Sequence, residues 1–205
     1  PCAEGRPALC EPGAAANGAG TLIGGAVRLA YRGERVHHHV GVSAFAEAAV
    51  VSRNSLVKID RDLPFEHAAL FGCAVLTGVG AVVNTAAVRA GQSVAIVGLG
   101  GVGLAALLGA RAAGAATIIA VDPIEEKRAL ALELGASVAI DPRAEGAEAE
   151  VKALTKGGVD AAVELAGAVP ALDFAYRITR RGGLTVTGGL AAPTERLPLA
   201  PVSLV

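Results

Sequence analysis

The sequence predicts an α/β fold in which helices cover both faces of a parallel sheet. Apolar runs of strand length alternate with segments of helical length; the strands are 94–97, 117–121, 137–140, 159–165 and 184–187, and the helices are 102–113, 124–134, about 147–155 and about 170–181. Alternation of this kind is typical of doubly wound parallel sheets. Hydrophobic residues make up 53% of the chain, which is enough to fill a core on each face.

A glycine-rich motif follows the first of these strands. Residues 93–97, Ser-Val-Ala-Ile-Val, lead into Gly98-Leu99-Gly100-Gly101-Val102-Gly103 and then into an apolar helix. In this pattern the first glycine permits a sharp turn, the second lets a pyrophosphate approach the main chain, and the third lets the helix pack on the sheet. The alternative is a strand-to-helix turn that binds nothing, since a chain with 27 glycines produces such matches by chance.

An acidic residue ends the next strand. Asp122 follows the run 117–121 and lies 19 residues beyond Gly103. That spacing is close to the one expected of a carboxylate that accepts hydrogen bonds from a ribose hydroxyl. Strand, glycine motif, helix, strand and acid together favour a dinucleotide site over an empty turn.

The first 60 residues have a different character. Residues 1–20 are rich in Pro, Gly and Ala and are predicted to form a loop. Short apolar stretches at 36–40, 48–51 and 55–59 are predicted strands of a small β unit. Three consecutive histidines, His37, His38 and His39, lie in the first of these stretches. Neighbouring strand residues point to opposite faces, so we expect packing and hydrogen bonding from them rather than a shared metal ion.

The segment before the glycine motif is predicted to be helical. Asp62 is a candidate N-cap, and Pro64 stands in the first turn. The apolar stretch that follows carries Cys73, which its surroundings alone indicate to be a buried core thiol. The spacing of Cys2 and Cys10 by itself favours two unrelated thiols. The change of pattern near residues 85–92 marks the candidate domain boundary.

Composition narrows the class of function. A net charge of −1 gives no electrostatic reason to bind nucleic acid or an anionic membrane, and 3% aromatic residues leave little for base stacking. We expect no membrane span and no targeting segment. Three cysteines are an odd count without a disulfide framework, which favours a cytoplasmic protein. The chain has no Met and begins at Pro1, so we expect it to be part of a longer protein.

Taken together, these motifs resemble those of the zinc-containing medium-chain alcohol dehydrogenases. The resemblance extends over essentially the whole chain. It rests on 72–81 (Gly-Cys-Ala-Val-Leu-Thr-Gly-Val-Gly-Ala), on 98–103, on Asp122 with Lys127, on 157–160 with 163–164, on 187–189 (Thr-Gly-Gly), and on Cys2 with Cys10. It implies a GroES-like catalytic domain over 1–87, present only in part, and a truncated Rossmann domain over 88–205.

The resemblance also implies roles for particular residues. Cys73 would be a ligand of a catalytic zinc, and Cys2 and Cys10 would be ligands of a structural zinc. The implied NAD contacts come from the glycine motif, from the ribose pair and from residues near the nicotinamide: Thr77, Gly98, Leu99, Gly100, Gly101, Val102, Gly103, Asp122, Lys127, Thr187, Gly188 and Gly189.

The activity implied is reversible hydride transfer between a small alcohol or aldehyde and NAD, with zinc polarising the substrate oxygen. The carboxylate of Asp122 favours NAD over NADP, and a homo-oligomer is expected. Because Cys73 alone cannot complete a zinc site, we expect residues 1–205 by themselves not to oxidise alcohols. The alternatives are a zinc-free quinone or enone reductase of the same superfamily and a non-catalytic nucleotide-binding module.

Overall fold

The fold is seen in a computed structural model that describes residues 4–42, 45–51 and 53–200. Its internal contacts divide the chain into a first unit, Pro1–Asp60, and a second unit, Arg61–Val205. The assignment of 1–87 and 88–205 to two domains of a longer protein stays a prediction.

The second unit contains a five-stranded sheet and the helices that connect its strands. The strands are β3 (Ser93–Val97), β4 (Thr117–Val121), β5 (Val138–Ile140), β6 (Val159–Glu164) and β7 (Thr179–Thr187). The helices between them are α4 (Gly101–Ala112), α5 (Glu125–Glu133), α6 (Ala147–Leu154) and α7 (Val169–Ile178). The predicted doubly wound α/β fold is therefore confirmed.

The strand order is β5-β4-β3-β6-β7, and each neighbouring pair is parallel. In the register of the central strand, Val94 lies opposite Ile118 of β4 and Ala161 of β6. The direction in which successive strands are added reverses between β3 and β6. The carboxyl ends of these two strands therefore flank the switch point at which doubly wound sheets bind ligands.

The central strand separates two hydrophobic cores. Val94 and Ile96 face one core with Leu107 of α4, whereas Ala95 faces the other core with Ile178 of α7. All five side chains are fully buried. Burial on both faces explains why β3 is a continuous apolar run rather than an alternating one.

A continuous helix, Phe65–Thr85, precedes the sheet. It consists of α2 (Phe65–Leu70), a π-helical segment (Phe71–Val75), α3 (Leu76–Gly80) and a second π-helical segment (Ala81–Thr85). The predicted cap was wrong: Pro64 is the N-cap residue of α2 and makes no side-chain cap hydrogen bond. Proline has a fixed φ and no N–H, which makes it compatible with a helix start without any capping side chain.

The same helix is an exception to the expectation that no apolar run reaches the length of a membrane span. Its 21 residues include a stretch of mean hydropathy 1.7, long and apolar enough to cross a membrane by length and composition alone. Within this chain 17% of that stretch is buried, so most of it is not covered by the core, although Val82 is fully buried beside β3. The apolar side chains of Phe65, Leu70 and Leu76 are exposed.

In the first unit, the prediction of a loop over residues 1–20 is wrong for more than half of those residues. Helix α1 occupies Glu11–Ala19, after a short 3₁₀ turn at Pro7–Leu9. Pro12 lies in the first turn, where its missing N–H costs nothing, and Gly20 ends the helix in the left-handed conformation. The alanines between them have the highest helix propensity, which outweighs Gly13 and Gly18.

The predicted strands of the first unit are also largely wrong. Among the described residues of that unit, the strands are β1 (Leu29–Tyr31) and β2 (Glu34–Val36), which form an antiparallel hairpin. Residues 48–51 and 56–59 have no regular structure, and Val50 and Val57 are exposed. Strand propensity alone does not make a strand, since a strand also needs a neighbour for its main-chain hydrogen bonds.

One boundary in the second unit also differs. Helix α7 ends at Ile178 and β7 begins at Thr179, so the residues predicted to end the helix instead start the strand. Thr179 and Arg180 lie beside β6, where Val159 pairs with Thr179. Pairing with a strand 20 residues away overrides the local helical pattern.

Candidate functional site

The turn after β3 is built around two glycines that no other residue can replace without strain. Gly98 has a φ of +93°, and its N–H donates to the Val121 carbonyl oxygen at 2.8 Å. A Cβ on Gly98 would lie 2.6 Å from the Ala166 nitrogen. A Cβ on Gly103 would overlap the Gly98 carbonyl oxygen. The first and third glycines of the motif therefore permit the turn and the close helix.

The second glycine has open space around it. Helix α4 begins at Gly101 with Gly100 as N-cap residue, and no side chain caps it. A Cβ on Gly100 would meet nothing within 4 Å. The main-chain N–H groups and the dipole of this helix terminus can therefore face an anion. The geometry fits a pyrophosphate group.

Asp122 is buried beside this turn, with 5% of its surface exposed. Its Oδ2 accepts the Leu99 N–H at 2.9 Å, and its Oδ1 accepts the Ile124 N–H at 2.9 Å. Lys127 Nζ lies 3.9 Å from Oδ2. Each carboxylate oxygen has two acceptor sites, so Asp122 keeps the capacity to accept ribose hydroxyls.

Two arginines that the sequence analysis missed support the turn after β4. Arg128 Nη1 donates to the Asp122 carbonyl oxygen at 2.7 Å, and Arg143 Nη2 donates to the Pro123 carbonyl oxygen at 2.6 Å. Arg143 also donates to both carboxylate oxygens of Asp141, at 2.8 and 3.0 Å. These hydrogen bonds hold the pKa of Asp141 well below its usual value. The signal in the sequence was the charged pair at 141 and 143, directly after β5.

Helix Phe65–Thr85 lies against the same turn. A Cβ on Gly78 would overlap the Val102 carbonyl oxygen, so only glycine allows the helix to pack this closely on α4. A Cβ on Gly101 would be 4.0 Å from the Ala74 Cβ. Cys73 is exposed and precedes Thr77 by four residues, which places both on one side of the helix.

The turn after β7 completes this edge of the sheet. A Cβ on Gly188 would lie 2.8 Å from Leu165 Cδ2 and 3.9 Å from Thr77 Cγ2. The N–H groups of Gly188 and Gly189 donate to the Glu164 carbonyl oxygen at 2.9 and 3.2 Å. The glycine turn, Thr77 and residues 187–189 therefore converge near the switch point.

The cysteines do not form a metal cluster within the described residues. No group of three or more His, Cys, Asp and Glu side chains comes together in the part of the chain that the structure describes. Cys73 is a free thiol, Cys10 caps α1 by accepting the Gly13 N–H at 3.4 Å, and Cys2 lies outside the described residues. The donors present therefore do not by themselves fit a zinc ion. The roles predicted for these cysteines stay predictions.

His37 and His38 have the packing and hydrogen-bonding roles expected of them. His38 Nε2 accepts the Arg28 N–H at 3.2 Å, and the His38 N–H donates to the Gly20 carbonyl oxygen at 2.8 Å. His37 packs so close to Gly20 that a Cβ on Gly20 would lie 2.7 Å from the His37 Cβ. These contacts attach the end of α1 to the segment after the hairpin.

A parallel sheet with a glycine turn at its switch point and an acid at the end of the next strand defines the dinucleotide-binding class of α/β folds. Comparison with known proteins shows which family of this class the chain belongs to. The family model described as "Zinc-binding dehydrogenase" matches residues 101–204, about half of the chain. The chain belongs to the zinc-binding dehydrogenase family.

Two curated relatives match along the whole chain. It is 39% identical to an S-(hydroxymethyl)glutathione dehydrogenase of Synechocystis and 41% identical to a geraniol dehydrogenase of Castellaniella defragrans. Each match covers 100% of the chain but 56% of the relative. The chain therefore spans about half the length of these relatives.

Solved structures agree with the fold. An alcohol dehydrogenase zinc-binding domain protein from Burkholderia ambifaria superposes with a TM-score of 0.83 at 34% identity, over 96% of this chain and 56% of that one. A zinc-binding dehydrogenase from Sinorhizobium meliloti, solved bound to NADP, gives a TM-score of 0.59 at 33% identity, over 64% of this chain and 40% of that one.

Proposed function

We propose that this chain is the coenzyme-binding part of an alcohol oxidoreductase and that it binds NAD at the switch point of the sheet. The observation that carries the proposal is the uncapped start of α4 at Gly100 and Gly101, beside the buried carboxylate of Asp122. The first feature favours a pyrophosphate, and the second favours a ribose. NAD, when bound, supplies the hydride acceptor.

The residues of the chain would bind and orient the coenzyme. The N–H groups at the start of α4 would donate to the pyrophosphate, near Leu99 and Val102. Asp122 would accept from the ribose hydroxyls, with Lys127 beside it. Strands β4 and β6 are separated by β3, so their ends are about 10 Å apart at the usual strand spacing. An extended dinucleotide spans this distance, with adenosine near β4 and nicotinamide near residues 187–189.

NAD is proposed over NADP because Asp122 carries the same sign of charge as a 2′-phosphate. A cation could offset that repulsion, but Lys127 lies 3.9 Å from the Asp122 carboxylate and the nearby guanidinium groups already have partners. Arg128 donates to the Asp122 carbonyl oxygen, and Arg143 donates to Pro123 and Asp141. The Sinorhizobium structure is bound to NADP, so the preference for NAD is a specific expectation for this chain.

The substrate class is proposed to be a small alcohol or its aldehyde. S-(hydroxymethyl)glutathione and geraniol, which the two relatives are named for, both carry a hydroxyl group on a terminal carbon. Among the described residues, Cys73 is the one proposed ligand of a catalytic zinc. A catalytic zinc needs three protein ligands, and the described residues offer one exposed thiol at this edge.

The test is to titrate the chain with NADH and NADPH and follow the change in coenzyme fluorescence. We expect tighter binding of NADH. The double change Asp122→Gly with Pro123→Arg should weaken NADH by about 10- to 100-fold or more, because it removes the ribose contact and the acceptor of the Leu99 N–H, and it should raise the affinity for NADPH relative to NADH.

The matched control is Pro123→Arg alone, which adds the guanidinium and keeps the carboxylate. It should improve NADPH less than the double change does. Absence of NADH binding by the wild type would contradict the proposal. Equal binding of NADH and NADPH would support the proposed coenzyme site but contradict the proposed preference for NAD.

A further inference from the structure

Glu164 is a buried carboxylate for which the proposed coenzyme contacts give no role. It is the last residue of β6, and 1% of its surface is exposed. Its Oε1 accepts the N–H groups of Ala166 and Gly167 at 2.8 and 2.6 Å, and its Oε2 accepts the Thr187 hydroxyl at 2.8 Å. The three donors are neutral groups, so the carboxylate is stabilised by hydrogen bonds and not by an ion pair.

These hydrogen bonds join the loop after β6 to Thr187, the last residue of β7. A Cβ on Gly189 would lie 2.8 Å from Glu164 Oε1 and 2.5 Å from the Gly167 Cα, so the loops are in direct contact. The loop after β6 also contacts the glycine turn, because a Cβ on Gly98 would lie 2.6 Å from the Ala166 nitrogen. One carboxylate therefore sets the positions of both loops on the β6–β7 side of the switch point.

The positions of Glu164 and Asp122 in the sheet indicate which half of the coenzyme each of them lies near. The two acids end β6 and β4, on opposite sides of β3 in the strand order. If the adenosine half of the coenzyme lies at Asp122, the loops that Glu164 holds face the nicotinamide half. At a fully buried position an apolar residue would need no hydrogen-bond partner. A buried carboxylate is stable only when several donors offset the free energy lost on its desolvation.

We propose that Glu164 is a positioning residue for the nicotinamide half of the coenzyme. It holds residues 166–167 and 187–189 in the arrangement that receives this half, while the adenosine half binds without its help. This inference rests on the proposed function, and it adds a residue that acts through the main chain rather than by touching the coenzyme.

The experiment compares two ligands. ADP-ribose carries the adenosine half and the pyrophosphate but no nicotinamide, and its binding is measured by calorimetry; NADH binding is measured by fluorescence. In Glu164→Gln the amide oxygen can still accept the two N–H groups, but the charge is lost and the N–H₂ group takes the place of the oxygen that accepts the Thr187 hydroxyl. We expect NADH affinity to fall by about tenfold, the value of one hydrogen bond to a charged group, and ADP-ribose affinity to change by less than about twofold.

The control variant is Asp160→Asn on the same strand. Asp160 also accepts three hydrogen bonds, from the Ser93 N–H, the Ser93 hydroxyl and Arg180 Nε, but at the opposite end of β6. Its replacement should leave the ratio of NADH to ADP-ribose affinity unchanged. A change in this ratio in Asp160→Asn would show that the loss of any hydrogen-bonded carboxylate on β6 has the effect, and would overturn the role of Glu164.

A second pair of variants covers the case in which Glu164→Gln does not fold. Thr187→Val removes one of the three hydrogen bonds, and Thr187→Ser restores it. The first should lower NADH affinity selectively and the second should recover it. Equal losses for both ligands, or no loss, would overturn the positioning role while the proposed function stands. Failure of the wild type to bind either ligand would overturn the proposed function itself.

Discussion

The side chain of Asp122 and the main chain of Leu99 are joined by a buried hydrogen bond of 2.9 Å. The bond runs from the end of β4 to the second residue of the glycine turn. The other carboxylate oxygen holds the Ile124 N–H at the start of the next connection. The residue proposed to recognise the ribose therefore also holds the main chain proposed to recognise the pyrophosphate.

We expect Asp122→Asn to destabilise the chain even without a ligand. The amide oxygen can replace one acceptor, but the amide N–H₂ group would face the other N–H donor. The cost should be about 1.5–3 kcal/mol, the range for hydrogen bonds to a charged group. Urea unfolding measures it. The control is Lys127→Ala, which removes a half-exposed ammonium 3.9 Å away and should cost less than about 1 kcal/mol. Equal costs for both would show that the carboxylate acts through the ion pair.

The second and third glycines of the motif should respond differently to alanine. Gly103→Ala would overlap the Gly98 carbonyl oxygen and should cost about 1–3 kcal/mol or more in stability. Gly100→Ala meets nothing within 4 Å, so its melting temperature should stay near that of the wild type while NADH affinity falls. Unchanged NADH binding by Gly100→Ala would mean that the pyrophosphate does not lie over this residue.

The stability that the chain loses in Asp160→Asn should depend on pH. Hydrogen bonds from the Ser93 N–H, the Ser93 hydroxyl and Arg180 lower the pKa of Asp160 in the folded chain. A lowered pKa adds stability above the unfolded value of 3.8, and this stability is lost as the pH falls through the folded value. Asp160→Asn should therefore cost about 1.5–3 kcal/mol at pH 7 and progressively less below pH ~4.

The measurement for Asp160 is urea unfolding of wild type and variant at pH 7, 5 and 3. Asp173→Asn is the control, because Asp173 pairs with Arg177 four residues along an exposed helical face. That change should cost no more than about 0.5 kcal/mol at any of these pH values. A difference for Asp160→Asn that grows toward pH 3 would have the wrong sign and would refute the assignment.

Cys73→Ser tests whether the thiol is a metal ligand in the protein that carries this chain. Cys73 is exposed, so the change should alter stability by less than about 0.5 kcal/mol. We expect zinc content to fall by one ion per subunit and alcohol oxidation to be lost, while NADH binding stays near the wild-type value. Full zinc content with normal turnover would return Cys73 to the role of an ordinary thiol.

The parallel sheet could be predicted because its pattern is local. Each strand from β3 to β6 is a short apolar run, and the Gly98 turn and Asp122 follow their strands directly. The first unit could not be predicted in this way. Residues 11–19 contain Pro and two Gly and look like a loop, but cap residues at both ends make them a helix.

The contacts of the candidate site were less predictable than its residues. Glu164 and Thr187 are 23 positions apart, and Ser93 and Asp160 are 67 apart. Only the register of β6 between β3 and β7 brings these partners together. An acid at the end of an apolar strand was a visible signal at Glu164, but its donors are main-chain groups of loops, which have no signature in the sequence.

The π-helical segment Phe71–Val75 gives the helix that contains Cys73 a surplus residue. An α-helix rotates by about 100° per residue, so a one-residue deletion inside this segment can be absorbed by conversion to an ordinary α-turn. Gly78 would stay against Val102, because that contact allows no other residue. The residues on either side of the segment would keep their present orientation, because the extra residue of a π-helical turn is an insertion into an α-helical pattern. The segment can therefore take up the loss of one residue while Gly78 stays packed against α4 and the sheet is undisturbed.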